Sequence, residues 1–244
     1  MTDGTMFKSL LRSILPNTPK EARPVRDDPI LIVGMHHSGT SLLTQIIAMA
    51  GAFVVQDMGH SESRLFTVEL NDAVLMRGDW ARSPIMSVDE VMSLGDEFDT
   101  FLTAKLADYL YAHGYERSMA WGFKDPRTCV LLPLYLSRFP DARVVHIVRD
   151  ADSVAASLSR STKLHVGRVQ DVGFWKDLHA QHVERARESA TRIGERYHEL
   201  GYEALCLKPR ETVATLCEFL DLGVTPELER FISTEIYRDR VSVV

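Results

Sequence analysis

The stretch ILIVGMHHSGTSLL, residues 30–43, joins four apolar residues to a glycine-bounded polar turn and then to an apolar run of different period. Unbroken apolar content makes Ile30–Val33 a buried strand, and SLLTQIIAMAG places Leu42, Leu43, Ile46, Ile47 and Ala50 at helical spacing before Gly51 ends the helix. A strand that turns directly into a helix aims several backbone N–H groups at one point, where the helix dipole also favours negative charge. Ser38, Thr40 and Ser41 add hydroxyl donors, so the turn is a candidate phosphate cradle. It lacks the lysine that nucleotide hydrolases carry after the second glycine; Thr40 and Ser41 stand there instead. Without that lysine, or an obvious acidic residue for magnesium at a neighbouring strand end, transfer of a terminal phosphate is poorly supported. The anion is expected to be held without metal. Taken alone, such a turn is equally a plain structural connection.

Further along, AFVVQ, AWGFKDP and ARVVHIV read as strands, and LLPLYLSRF and ADSVAASLSR as helices, the latter with Asp152 and Ser153 in its first turn. Alternating strands and helices predict an α/β fold of three layers with a central parallel sheet, in which ligands gather at the carboxyl ends of the strands. Residues 56–120 interrupt the alternation with helical periodicity and are expected to shape a second substrate's site. After residue 170 the reading is a long amphipathic helix from about Phe174 to Leu200, a strand EALCL, and a helix with Pro209 in its first turn. Residues 1–28 read as a Pro-rich leader holding a short basic amphipathic piece, FKSLLRSIL, and residues 29–244 as one domain.

Composition bounds the function. With 45% apolar and 25% charged residues the chain is expected to be a soluble globular protein with a sizeable core. A net charge of -6 argues against a nucleic-acid-coating surface, so any anion site must be local. Cys129, Cys206 and Cys217 lack zinc or disulfide spacing and read as reduced, buried thiols. No apolar run is long enough for a signal core or a membrane span, and the expected location is the cytoplasm.

Two later stretches offer positive charge where strands end. Arg149 closes ARVVHIV, and Ser157 follows eight residues on, about two turns into the next helix at a rise of ~1.5 Å per residue, within reach of one phosphate group. The alternative is an arginine paired with Asp150 or Asp152. In WGFKDPRT, Lys124 and Arg127 set two cations around a proline turn, which suits an anionic ligand or, alternatively, surface salt bridges.

Together these stretches resemble the PAPS-dependent sulfotransferases, whose donor is 3'-phosphoadenosine 5'-phosphosulfate. GMHHSGTSLL is similar to the family's 5'-phosphosulfate loop, RDADSVAAS to its 3'-phosphate segment, and WGFKDPR to a segment of the bacterial branch. The resemblance covers roughly residues 28 to 222 and implies a P-loop-like fold with PAPS as donor, PAP as product and no metal. It implies that His36, His37, Ser38, Gly39, Thr40 and Ser41 hold the 5' end, and Arg149 and Ser157 the 3'-phosphate. Lys124 would meet the bridging oxygen and the departing sulfuryl group. In GHSESRLFTVELND the resemblance implies Glu62, followed by Arg64, as the base for an acceptor hydroxyl, with His60 second and Glu69 third. Arg64 and Arg127 would face the acceptor, a small molecule, glycan or peptide.

Three departures stand out. His37 occupies a place where relatives carry Lys or Arg, and a histidine is a full cation only in acid or beside an anion. Glu62 to Asn71 runs about one residue long. The Tyr-Glu-Asp-Leu stretch that relatives usually carry between the last strand and the next helix is missing, since EALCL runs almost directly into Lys208 and Pro209. The competing readings are a kinase or nucleotide hydrolase on the same scaffold, and a protein that binds PAPS or PAP with little turnover.

Overall fold

The computed structural model describes residues 23–75, 81–82, 84–160 and 171–236. Five strands, β1 (Ile30–Val33), β2 (Phe53–Val54), β3 (Trp121–Lys124), β4 (Arg143–Val148) and β5 (Tyr197–Gly201), form one sheet in the order β2-β3-β1-β4-β5. Every pairing is parallel. Helix α1 (Thr40–Met49) follows β1. Between β2 and β3 lie a π-helical segment, Leu65–Asn71, then α2 (Asp72–Val74), α3 (Val88–Met92) and α4 (Gly95–Ala112). Helix α5 (Thr128–Arg138) joins β3 to β4, and α6 (Ala151–Ser159) and α7 (Val172–Ile193) precede β5. The last described helices are α8 (Tyr202–Leu207), α9 (Pro209–Leu220) and α10 (Pro226–Glu235).

The alternation of side chains along each strand explains the three layers. Leu31 and Val33 enter one apolar cluster with Trp121, Phe123 and Val144, where α4, α5 and α7 supply Phe98, Leu131 and Ala186. Ile30 and Ile32 point the other way, with Val145 and Ile147, into a cluster closed by Leu43 of α1, Leu205 of α8 and Leu216 of α9. Both faces are apolar, so a helix layer must cover each. The four predicted positions on α1 and Ala50 just past its end are buried, and Gly51 has the positive φ of 107° that a helix exit favours. The three cysteines are free and buried. No helix among the described residues is long and apolar enough to cross a membrane. The basic piece at 7–15 and residues 237–244 lie outside the described residues.

One expectation fails. EALCL is not a strand: α8 spans it, and the strand is the preceding YHELG, Tyr197–Gly201. The long helix stops at Ile193, because Gly194 takes a φ of 53° and breaks it. Tyr197–Gly201 then pairs with Val144–Val148 as an edge strand, whose partial exposure admits His198 and Glu199. Tyr202, Leu205 and Cys206 are buried at the i, i+3, i+4 spacing of one helix face.

The layer between β4 and α7 contains histidines that must stay neutral. His182 has no exposed surface; its Nδ1 lies 2.8 Å from the Leu178 carbonyl, and its Nε2 has no hydrogen-bond partner. Burial is the largest cause that pushes this imidazole from 6.5 down to about 4. His146, equally buried on β4, is lowered first by burial, against the opposing pull of Glu199. Between those limits the unfolded chain binds the proton that folded His182 refuses. Its contribution to stability is therefore full above pH 6.5 and lost as pH falls toward 4, about 3 kcal/mol in all. Urea denaturation from pH 7 to 4.5 should show this loss, and His182→Asn should flatten the slope; equal slopes would refute the assignment.

Candidate active site at the carboxyl ends of the strands

The sheet order puts β1 between β3 and β4, so the turn after β1 lies between the residues that close those two strands. The chain proceeds from β1 toward β2 and β3 on one side and toward β4 and β5 on the other, and the turn occupies the crevice where the direction changes. A cleft of about 580 Å³ opens there, lined by His36, His37, Gly39, Thr40 and Ser41 from the turn. Glu62, Lys124, Arg149, Ser157 and His60 line it from elsewhere in the chain.

The turn is shaped by close approach. Gly34, at a φ of 153°, leaves no room for a Cβ, which would stand 2.5 Å from the Ile147 carbonyl oxygen of β4. Gly39, at 99°, is the N-cap of α1, and a Cβ there would lie 2.4 Å from the Tyr202 ring. No side chain caps this helix. The N–H groups of its first turn have no intrahelical acceptor, and the dipole adds positive character at the same place. Thr40 is buried at the cleft wall, whereas the Ser41 hydroxyl donates to the His60 carbonyl at 2.8 Å. Ser38 is fully buried outside the cleft lining, its hydroxyl without a hydrogen-bond partner.

Opposite the helix terminus a cation and a carboxylate meet. Lys124 ends β3 with 2% of its side chain exposed, and its Nζ lies 2.9 Å from Glu62 Oε1. Glu62 arrives on the turn Gly59–Ser61, in which His60 and Ser61 both have left-handed φ near 60° (63° and 59°). Non-glycine residues adopt that conformation at a cost, and here the Met58 N–H to Glu62 carbonyl bond of 3.1 Å and the Ser41 hydroxyl hold the turn. His60 lines the same cleft. The π-helical segment follows directly. Asn71, the last residue of the segment, is buried and bonds Thr128 and Tyr135.

The other wall belongs to β4 and α6. Arg149 Nη1 donates to the His37 carbonyl at 3.2 Å, its guanidinium stands 4.5 Å from the Tyr202 ring centre, and its buried Nε has no hydrogen-bond partner. His37, in left-handed conformation at a φ of 66°, places Nδ1 2.7 Å from Ser157 Oγ. Burial first, then Arg149 and His60, lowers the His37 imidazole below 6.5. His36 beneath it is pushed well below that value by burial and then by Arg127. Asp150 caps α6 by accepting from the Ser153 N–H at 2.8 Å.

Two expected acceptor residues are not in the cleft lining. Arg127 is buried, and its N–H groups go to Asp125, to Asp72 and to the Thr67 carbonyl at 2.8 Å. It clamps the π-helical segment to the proline turn, because a guanidinium taken out of water requires such partners. Arg64 is mostly exposed, 3.6 Å from Glu69. The sequence reading missed Tyr202, which wedges between Gly39 and Arg149. Its signal was the run Tyr202-Glu203-Ala204-Leu205 directly after β5, a near match to the Tyr-Glu-Asp-Leu stretch that the misplaced strand had concealed.

Among the described residues no group of three or more His, Cys, Asp or Glu side chains is placed to hold a metal ion. Asp125, immediately after β3, has its carboxylate engaged by Arg127.

Comparison with known proteins bears on the fold and the family. A family model described as "Sulfotransferase family" matches residues 29–226. No curated protein matches the sequence. Among solved structures, the sulfotransferase domain from the curacin biosynthetic pathway superposes with a TM-score of 0.55 at 18% identity, over 84% of this chain and 77% of that one. Sulfotransferase STF1 from Mycobacterium tuberculosis H37Rv gives 0.53 at 15% identity, over 96% and 76%. The sulfotransferase from Alicyclobacillus acidocaldarius gives 0.50 at 16%, over 86% and 91%. At such identities the structures speak for the fold alone, and the family match spans most of the chain: the protein belongs to the sulfotransferase family.

Proposed function

We propose that the protein transfers the sulfuryl group of PAPS to a hydroxyl, or an amine, of a small-molecule, glycan or peptide acceptor, releasing PAP. The observation that carries this reading is the meeting of three separate elements in one cleft. These are the uncapped N-terminus of α1, the Lys124–Glu62 pair, and Arg149 with Ser157. PAPS, when bound, supplies a sulfuryl group on a phosphate leaving oxygen.

The protein's own groups divide the remaining work. The α1 terminus with Gly39, Thr40 and the loop N–H groups binds the 5' end. Arg149 and Ser157 bind the 3'-phosphate, with His37 between the two. Lys124 leaves Glu62 to stabilise the charge that develops on the bridging oxygen as the S–O bond breaks. Glu62, freed of its partner, accepts the acceptor's proton as the new O–S bond forms. Positioning and charge carry the reaction, as in phosphoryl transfer through a loose transition state. Residues 56–120, which bring Glu62, shape the acceptor side.

A thermal-shift panel tests the donor, since a ligand bound only by the native state raises apparent stability with concentration. PAP and PAPS without metal are expected to raise the melting temperature, by an amount that grows with concentration. Stabilisation only by ATP with magnesium would overturn the reading in favour of a kinase. Radiolabelled sulfate transfer from PAPS to a panel of phenols, alcohols and amines then tests turnover; binding without transfer to any of them would favour a nucleotide-binding protein that does not turn over.

A further inference from the structure

A histidine bridges the two ends of the proposed donor site. His37 reaches Ser157 on α6 through Nδ1 at 2.7 Å, and its own carbonyl accepts from Arg149 at 3.2 Å. It is the loop residue in contact with both groups assigned to the 3'-phosphate, while it belongs to the turn assigned to the 5' end. We infer that His37 takes up a proton when a phosphate-bearing nucleotide enters, so that pH sets donor affinity together with the contacts; this rests on the donor assignment above.

The surroundings support the direction. In the ligand-free cleft the groups that act on His37 are cationic or neutral: Arg149 at the end of β4, His60 on the turn after β2, His36 on its own loop, and the Ser157 hydroxyl on α6. Tyr202 on α8 lies against Arg149 and beside Gly39 of the same loop. Glu62 lines the same cleft but is held by Lys124 from β3. Partial burial first, and then Arg149, disfavour the charged form of this ring. Phosphate groups reverse that balance, because an anion within a few ångströms favours the charged ring. By linkage, a ligand that raises the proton affinity of a site binds more tightly as protons become more abundant, by up to about tenfold per pH unit.

Calorimetric titration with PAP at pH 7, in buffers of differing ionisation enthalpy, counts the protons taken up. The wild-type protein is expected to take up about one, and its affinity to fall about tenfold from pH 6 to 8 relative to His37→Arg. The arginine variant, charged throughout, is expected to take up almost none and so to report the titration of the phosphate itself, whose second pKa is near 6. His37→Asn, which tolerates the left-handed backbone, is expected to take up none and to bind more weakly than wild type at pH 6. Tight PAP binding with equal uptake in wild type and His37→Arg would overturn the inference and leave the donor assignment intact. Uptake abolished by His60→Gln instead of the His37 variants would assign the proton to His60 and overturn it equally. Absence of PAP binding at every pH would remove the donor assignment itself.

Discussion

Glu62→Gln is expected to slow sulfuryl transfer by about 10²–10⁴-fold, the range that a positioned general base supplies. The substitution keeps the shape and a hydrogen-bond acceptor for Lys124, whose Nζ stands 2.9 Å away, so PAP affinity should be almost unchanged. The loss belongs in kcat measured with saturating PAPS and the best acceptor of the screened panel. An unaltered kcat would move the base to His60, which shares the cleft, and His60→Gln in the same assay would show the loss instead.

Lys124→Met is the second large effect. The amine is almost completely buried at the strand end, aimed at the carboxylate and at the mouth of the loop. A lysine that stabilises charge only as the sulfur–oxygen bond breaks contributes to rate far more than to binding, and its removal is expected to reduce kcat about 10²–10³-fold. Methionine preserves the apolar stem within β3, and the fold is checked by its melting temperature. A parallel rise in the dissociation constant of PAP, with kcat unchanged, would make Lys124 a ground-state ligand and refute its assignment to the leaving oxygen.

The fold was legible where composition decides it. Ile30–Val33, Trp121–Lys124 and Arg143–Val148 lie in the sheet interior, and buried parallel strands must be apolar on both faces. The edge strand Tyr197–Gly201 was not legible, since half exposure lets polar residues continue the pattern of the helix before it. Misplacing that strand by one element hid Tyr202. Arg127 was misread for a different reason: sequence shows a charge but not its partners, and Asp72 lies 55 positions away. The turn that carries Glu62 was opaque because His60 and Ser61 adopt left-handed backbone without the glycine that usually announces it. By contrast, the placement of Lys124 and Arg149 at strand ends followed from the alternation of elements alone.

The cleft is supported unequally. Lys124, Arg149 and the loop hang on β3, β4 and β1, whose mutual registers are fixed by backbone ladders deep in the sheet. Glu62 hangs on a bend outside the sheet, held by a short backbone bridge, the Ser41 hydroxyl, the Arg64 N–H to Asp57 bond and its own contact with Lys124. The residues proposed to grip the nucleotide are thus anchored in the sheet interior, while the carboxylate rides on a turn outside the sheet, which is expected to open at lower energy. Under the proposed function, mild denaturant or warmth is therefore expected to silence turnover before nucleotide binding is lost.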